Sequence, residues 1–281
     1  KLDLLVQVDL FMTDTAKMCD IILPACSSFE RSELKLYPYP TKYAIWTRPA
    51  IQPLGESRSD ADIICDLARR IAPEDKLLSS GHEACVDWVI KPTGLSLAEL
   101  AKHPGGIPLE NIPYPPYRKY EKSGFRTPSG KMEFTSTHLK EAGLDALSTY
   151  REPGQSPVST PKIARDYPLI LTTGARLPMT VHSRTYRLPW NRRLRPDHLV
   201  DIHPTDARQR AVSQGDWVNL STQRGHLRVK ANLTEIVPPG TVNIAHGNPE
   251  ADVNLLIPPD YLDPISGFPG FKSLLCEVKR A

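Results

Sequence analysis

Apolar positions are spaced in three different ways along this chain. Up to about residue 75 they come in short runs. Residues 4–8 form one apolar run, and Ile21-Ile22-Leu23 form a second that Pro24 stops. Between them Thr13 stands where it can cap a short helix over 14–19. Short apolar runs joined by helices predict a parallel sheet. Ser59-Asp60-Ala61-Asp62 resembles a capping box, and Ile63, Ile64, Leu67, Ala68 and Ile71 follow at helical spacing until Pro73. Residues 76–165 are less regular. The spacing predicts helices over 82–90 and 96–101. Prolines at 104, 108, 113, 115 and 116 require largely extended connection up to Tyr120. Residues 151–162, REPGQSPVSTPK, read as a linker between domains.

From residue 166 the period changes to that of closely spaced strands. Leu169-Ile170-Leu171-Thr172-Thr173 ends at Gly174. Residues 204–210 predict a short helix with proline in its first turn and Gly215 soon after. Residues 217–222 and 227–233 are strands joined by a hairpin. In the second, Leu227, Val229, Ala231 and Leu233 alternate with Arg228, Lys230 and Asn232, the mark of a half-buried strand. Pro238-Pro239-Gly240 turns into a further strand over 241–245. Short strands with tight turns predict a small closed barrel. The fold class is therefore α/β plus β, with three regions: a partial α/β domain over 1–75, a connecting region over 76–165 and a barrel domain over 166–281.

Composition adds little to this and excludes more. The 281 residues suit about two domains. Lys and Arg number 35 against 32 Asp and Glu, too balanced for charge alone to point to nucleic acid or a membrane surface. No run of 18 apolar residues occurs, so no direct membrane insertion is expected. The 28 prolines are roughly twice the usual share of ~5%, as suits many ordered turns. Five scattered cysteines without a Cys-x-x-Cys pair exclude a zinc ribbon or cubane cluster and a disulfide scaffold, and read as reduced, partly buried thiols. The chain opens on Lys1 in what reads as mid-strand, with no initiator Met and no signal sequence, so it is expected to be part of a longer polypeptide.

Candidate chemistry lies in loops at strand ends. Thr172-Thr173-Gly174-Ala175-Arg176 and His182-Ser183-Arg184 can bring backbone amides, hydroxyls and a guanidinium to an extended polar ligand. Arg184, Arg187, Arg192, Arg193 and Arg195 cluster with Tyr186 and Trp190. Such a cluster suits a solvated loop pairing with a neighbouring domain, or contact with cofactor phosphates or another subunit. A nucleic-acid surface is not supported by the overall charge. Late in the chain, Asn254 can read a heterocycle edge and Lys272 can offset a phosphate. No metal-ligand spacing joins the eight histidines; His203 and His246 read as structural. There is no nucleophile elbow, P-loop or Gly-x-Gly-x-x-Gly.

Five blocks carry a resemblance in order. VDLFMTDTAKMCDIILPACSSFERSE (8–33), RTPSGKMEFTS (126–136), PLILTTGARLPMTVHSRTYR (168–187), VDIHPTDARQRAVSQGDWVNLSTQRGHLRVKA (200–231) and VNLLIPPDYLDPISGFPGFKSLLCEV (253–278) are similar to the large subunits of the dimethyl-sulfoxide-reductase family of molybdopterin oxidoreductases. Cys19 replaces the usual Ala before Asp20, Asn248 stands where many relatives have an aromatic residue, and Ala175 separates Gly174 from Arg176.

The resemblance implies a Rossmann-like α/β portion followed by a six-stranded, double-psi-like β-barrel that binds molybdopterin dinucleotide. It implies an oxidoreductase of anaerobic metabolism in which two molybdopterin guanine dinucleotides chelate Mo or W. Thr173, Gly174, Arg176, His182 and Ser183 fall in the first cofactor loop, Asn254 and Lys272 on late cofactor positions, and Asp20 and Asp9 near the nucleotide in the α/β part. The protein ligand to the metal and, in most members, a [4Fe–4S] cluster belong to N-terminal domains not present in these 281 residues. The chain alone is thus expected to be inactive, with no catalytic or metal-ligating residue of its own and no cofactor retained. Its implied partners are those N-terminal domains, with iron–sulfur electron-transfer and membrane-anchor subunits. Substrate and compartment stay open, since an export signal would lie upstream. The alternative is a non-catalytic double-psi barrel module that binds a protein partner, against which the first block argues.

Overall fold

The computed structural model describes residues 2–37, 42–110, 117–174, 177–181, 183–195 and 198–281. Two compact units divide the chain, 1–141 and 142–281.

In the first unit, β1 (Val6–Asp9) and β2 (Ile21–Pro24) pair in parallel, with Val6 opposite Ile21 and Asp9 opposite Pro24. The expected helix between them is a short 3-10 turn, Ala16–Met18, and Thr13 Oγ1 accepts the Ala16 N–H at 3.1 Å. A second sheet, which the sequence did not signal, follows: β3 (Glu33–Tyr37) and β4 (Tyr43–Thr47) run antiparallel. Ala44 and Trp46 alternate inward on β4 and begin a core with Val86, Ile90, Leu100 and Leu109. These come from α3 (His82–Ile90), from α4 (Leu97–Leu100) and from beside β5 (Ile107–Pro108), which pairs with β4. Two helices precede α3: α1 (Asp60–Ile71) and α2 (Lys76–Ser79). At the start of α1, Ser59 Oγ accepts the Asp62 N–H at 3.0 Å. The return half of a capping box is absent: the Ser59 hydroxyl donates to the Asp62 carboxylate at 2.6 Å. Short helices α5 (Tyr120–Ser123) and α6 (Thr137–Glu141) complete the unit.

The second unit starts with a segment that is tied down. Ser273 Oγ donates to Gln155 O at 2.9 Å, and Leu275 N donates to Gln155 Oε1 at 3.3 Å. Ser156 is buried. Residues 151–160 therefore lie along the barrel and do not hang as a free linker. They lead into α7 (Pro161–Asp166), which packs on the last strand. The remaining elements in order are β6 (Leu169–Thr173), α8 (Ser183–Tyr186), α9 (Pro189–Leu194), β7 (Leu199–Ile202), α10 (Pro204–Gln209), β8 (Trp217–Ser221), β9 (His226–Leu233), β10 (Thr241–Ile244) and β11 (Leu274–Arg280). The six strands close into a barrel in the order β10-β6-β11-β8-β9-β7, sealed by antiparallel pairing of β7 with β10. Leu171, Val200, Ile202, Val218, Leu220, Val229, Val242, Leu274 and Val278 fill its interior without solvent exposure. Burying such a side chain stabilises by roughly 1.5–3 kcal/mol, and closure leaves no strand edge open. His203 caps α10, its ring Nδ1 accepting the Thr205 N–H at 3.2 Å, as suits a structural histidine.

Candidate functional site

Strand direction decides which loops meet. β10 runs parallel to β6, with Ile244 opposite Thr173, and β11 runs antiparallel, with Leu274 opposite Leu171. The C-terminal ends of β6 and β10 and the N-terminal end of β11 therefore share one end of the barrel. β8 is antiparallel to β11, with Ser221 opposite Glu277, so the β8–β9 hairpin points to that same end.

Four of the residues singled out in the sequence gather there. Thr173 closes β6, and its N–H donates to Phe271 O at 2.9 Å, which sets Lys272 beside the Thr173-Gly174 turn. Lys272 is exposed and makes no ion pair with a described residue. Asn254 lies in a 3-10 turn, Val253–Leu256, seated on the β8–β9 hairpin through a 2.8 Å bond from Thr222 Oγ1 to Leu256 O. A Cβ on Gly225 would come within 2.6 Å of Leu255 O, so this seat needs glycine. Asn254 Nδ2 donates to Asp252 Oδ1 at 2.8 Å, which turns the amide against its own loop while the residue stays exposed.

The turn itself carries two features that fit a polar ligand. Thr173 is only 3% exposed, yet its Oγ1 has no hydrogen-bond partner among the described residues. A buried hydroxyl left unpaired costs about 1–3 kcal/mol. Gly174 adopts φ +88°, and an added Cβ would lie 3.3 Å from the His246 ring, so backbone alone passes between the turn and that ring. His246 in turn packs on Phe271 at 5.5 Å between ring centroids.

Arg176 and His182 lie outside the described residues. Ser183 opens α8. Asp9 and Asp20 are not brought together: they sit at opposite ends of the β1–β2 pair, Asp9 closing β1 and Asp20 preceding β2. Asp9 is engaged by Gln7 Nε2 at 2.7 Å and Phe11 N at 3.1 Å. Asp20 Oδ2 accepts the Leu5 N–H at 2.8 Å. Of the two, only Asp9 stands at the carboxyl end of the parallel strands, where open α/β sheets take ligands.

The first unit also contains a pocket of about 480 Å³ between Arg31, Trp46, Arg58 and His82. Its arginines are already engaged, Arg31 with Glu33 and Asp60 and Arg58 with Asp66. The buried Glu30 beside it is structural: its carboxylate accepts the N–H groups of Ser27 and Leu54, each at 2.7 Å. Bonds from Ser27, then Leu54, hold its carboxyl below the ordinary Glu range.

Sequence reading missed how a buried polar group assembles at this barrel end. Asn248 is 5% exposed, and its Nδ2 donates to the Tyr186 hydroxyl at 3.1 Å. Tyr186, whose phenol burial pushes upward in pKa, also meets His198 Nδ1 at 3.3 Å. Arg192 from the arginine cluster pairs with Glu250 at 2.8 Å, and Arg195 lies 3.9 Å from Asp201. The sequence signals for this group were the arginine cluster with Tyr186 and the departure at Asn248; neither showed that they meet.

Among known families, residues 169–275 match the molydopterin dinucleotide binding domain and residues 1–70 match molybdopterin oxidoreductase. The chain is 30% identical over 245 residues to acetylene hydratase of Syntrophotalea acetylenica, covering 87% of this chain and 33% of that protein. It is 29% identical to the assimilatory nitrate reductase catalytic subunit of Bacillus subtilis (strain 168), covering 99% and 38%. The solved acetylene hydratase from Pelobacter acetylenicus superposes with a TM-score of 0.86 at 27% identity, covering 99% of this chain and 40% of that one. The chain thus spans about a third of the length of the curated relatives it matches.

Proposed function

We propose, from the premise that this chain belongs to the molybdopterin oxidoreductases of the dimethyl-sulfoxide-reductase family, that its barrel end binds one arm of a molybdopterin guanine dinucleotide within a larger Mo or W enzyme. The carrying observation is the buried Thr173 hydroxyl beside the glycine turn, which has no hydrogen-bond partner among the described residues and which a ligand group would satisfy. Thr173 and Gly174 would receive that ligand, and Arg176, His182 and Ser183, which follow in the sequence, are proposed as further contacts. Lys272 would offset a phosphate and Asn254 would read a heterocycle edge through the oxygen of its amide. Asp9 of the first unit, at the carboxyl end of the parallel pair, is a proposed nucleotide contact, for which Asp accepting guanine N–H groups is the chemical reason; Asp20, at the opposite end and accepting the Leu5 N–H, is not placed to share that contact.

When bound, the cofactor's metal supplies the redox centre; the residues of this chain bind and orient the organic part around it. The family match over residues 1–70 favours this reading over a free-standing barrel module. Named activities among the relatives include a hydratase and a nitrate reductase, so the barrel is read as the shared cofactor holder and not as the determinant of substrate. The N-terminal domains, a [4Fe–4S] cluster within them, and iron–sulfur or membrane-anchor subunits are proposed partners. Among the described residues no helix is long and apolar enough to cross a membrane.

Produced as these 281 residues, the chain should show no dye-linked oxidoreductase activity and carry no stoichiometric molybdenum or iron, while binding guanosine diphosphate measurably by calorimetry. Stoichiometric metal would overturn the first expectation. Absence of any guanosine diphosphate binding would overturn the assignment of the barrel end.

A further inference from the structure

Four side chains at the barrel end leave little freedom for their protons. Asn248 Oδ1 accepts the Glu250 N–H at 3.0 Å, which fixes which face of the amide is the acceptor. Its Nδ2 must then donate to the Tyr186 oxygen, 3.1 Å away. Tyr186 is 8% exposed, so its own proton needs an acceptor within the protein, and His198 Nδ1 stands at 3.3 Å. An imidazole that accepts at Nδ1 carries its proton on Nε2 when neutral. That Nε2 faces the Glu250 carboxylate at 3.8 Å, and the other oxygen of the same carboxylate takes Arg192 at 2.8 Å.

We propose that Asn248, Tyr186 and His198 form a one-directional ring closed on Glu250, which holds the arginine-bearing helices α8 and α9 against the barrel end and makes Asn248 and Tyr186 positioning residues for the dinucleotide. The ring joins the loop after β10 to a segment 62 residues earlier in the chain. Tyr186 lies on α8, and Arg192 on α9 is tied by the same Glu250. A second buried amide stiffens the joint between these helices, Asn191 Nδ2 donating to Thr185 O at 2.9 Å.

The positioning role rests on the dinucleotide reading of the barrel end, whereas the proton order of the ring does not. Two measurements on the 281-residue chain separate them. In chain labelled with 15N-histidine, His198 should show the Nε2–H tautomer, and Tyr186→Phe, which keeps the ring and removes only the hydroxyl, should abolish that preference. An Nδ1–H tautomer in the wild type, or no change in Tyr186→Phe, would overturn the ring. In calorimetric titration with guanosine diphosphate, Tyr186→Phe and Asn248→Ala should each weaken binding about tenfold, as loss of one buried hydrogen bond implies. Their double variant should be no weaker than either, because both break one device. Additive losses, or wild-type affinity in Tyr186→Phe, would overturn the positioning role alone. A wild type that binds no guanosine diphosphate would overturn it together with the reading of the barrel end.

Discussion

The barrel and the β1–β2 pair are both built from short apolar strands, yet they treat those residues oppositely. In the barrel each strand has two neighbours, and residues such as Leu171, Val218 and Leu220 are wholly withdrawn from solvent. In the parallel pair, Val6 and Ile21 face each other across the ladder and remain 44% and 45% exposed. Parallel strands are normally covered on both faces, so two alone cannot bury what their sequence supplies. An apolar run therefore states that a segment will pair, while closure decides how much it stabilises.

The largest effect follows directly. Leu171→Ala should cost roughly 2–5 kcal/mol by leaving a cavity in the barrel interior, whereas Ile21→Ala should change stability by only about 0.5 kcal/mol. Urea unfolding followed by tryptophan fluorescence and circular dichroism would measure both. Equal losses at the two positions would mean that the parallel pair is as well buried as the barrel, and the contrast would fall.

How much of this could be read beforehand depends on the same difference. Four barrel strands were legible because one side of each faces the core and the other faces out. β11 was not, since Leu274, Leu275 and Cys276 are all buried in succession. Leu275 is buried outside the interior cluster, and its backbone N–H is bonded to Gln155, 120 residues earlier, a contact that no local pattern encodes. β7 follows directly on an arginine-rich stretch and has only two inward residues, Val200 and Ile202, to mark it. The β3–β4 hairpin was obscured by the prolines at 38 and 40. At the candidate site, Thr173, Gly174, Asn254 and Lys272 were legible through motif order, and strand direction then brought them to one barrel end. Tyr186 and Asn248 were each noted in the sequence, but their bond was illegible because they lie 62 residues apart and only the fold joins them.

Ligand affinity gives the next contrast. Lys272→Ala should weaken guanosine diphosphate binding about ten- to hundredfold, the worth of a charge-assisted bond of roughly 1.5–3 kcal/mol. The urea midpoint should not move, since the exposed Lys272 adds nothing to the interior. A variant that unfolds earlier yet binds normally would assign Lys272 to the fold and remove it from the site.

Acid should distinguish the units in a different way. Glu30 has its carboxyl held low by Ser27 and Leu54, so its folded pKa lies below its unfolded one. The stabilisation is complete above the ordinary Glu value of about 4.3 and is lost as pH falls through the lower folded value. Glu30→Gln places an NH2 against one of two backbone donors and should loosen the first unit at neutral pH. The gap between wild type and variant should narrow below about pH 4.3. A gap independent of pH would mean that packing around residue 30, and not its charge, holds the loop at Leu54.

The smallest effect concerns the same device used in each unit. Ser59 caps the twelve-residue α1 of the first unit, and His203 caps the six-residue α10 beside the barrel. Ser59 is 4% exposed, its oxygen takes the Asp62 N–H, and its proton goes to the Asp62 carboxylate. Removing the hydroxyl leaves one helix N–H unpaired and withdraws a donor from that carboxylate. Ser59→Ala should therefore cost about 1 kcal/mol. His203→Ala removes one 3.2 Å acceptor, but Pro204 already fixes the first turn of α10, and Asp206 anchors it through a 2.7 Å bond from the Gly240 N–H. Its cost should be less than that of Ser59→Ala. Hydrogen exchange would locate each loss: spread through α1 for Ser59→Ala, confined to the first turn of α10 for His203→Ala. If the barrel variant proved the more damaging, α10 would owe its place to the histidine cap and not to the closed sheet beneath it.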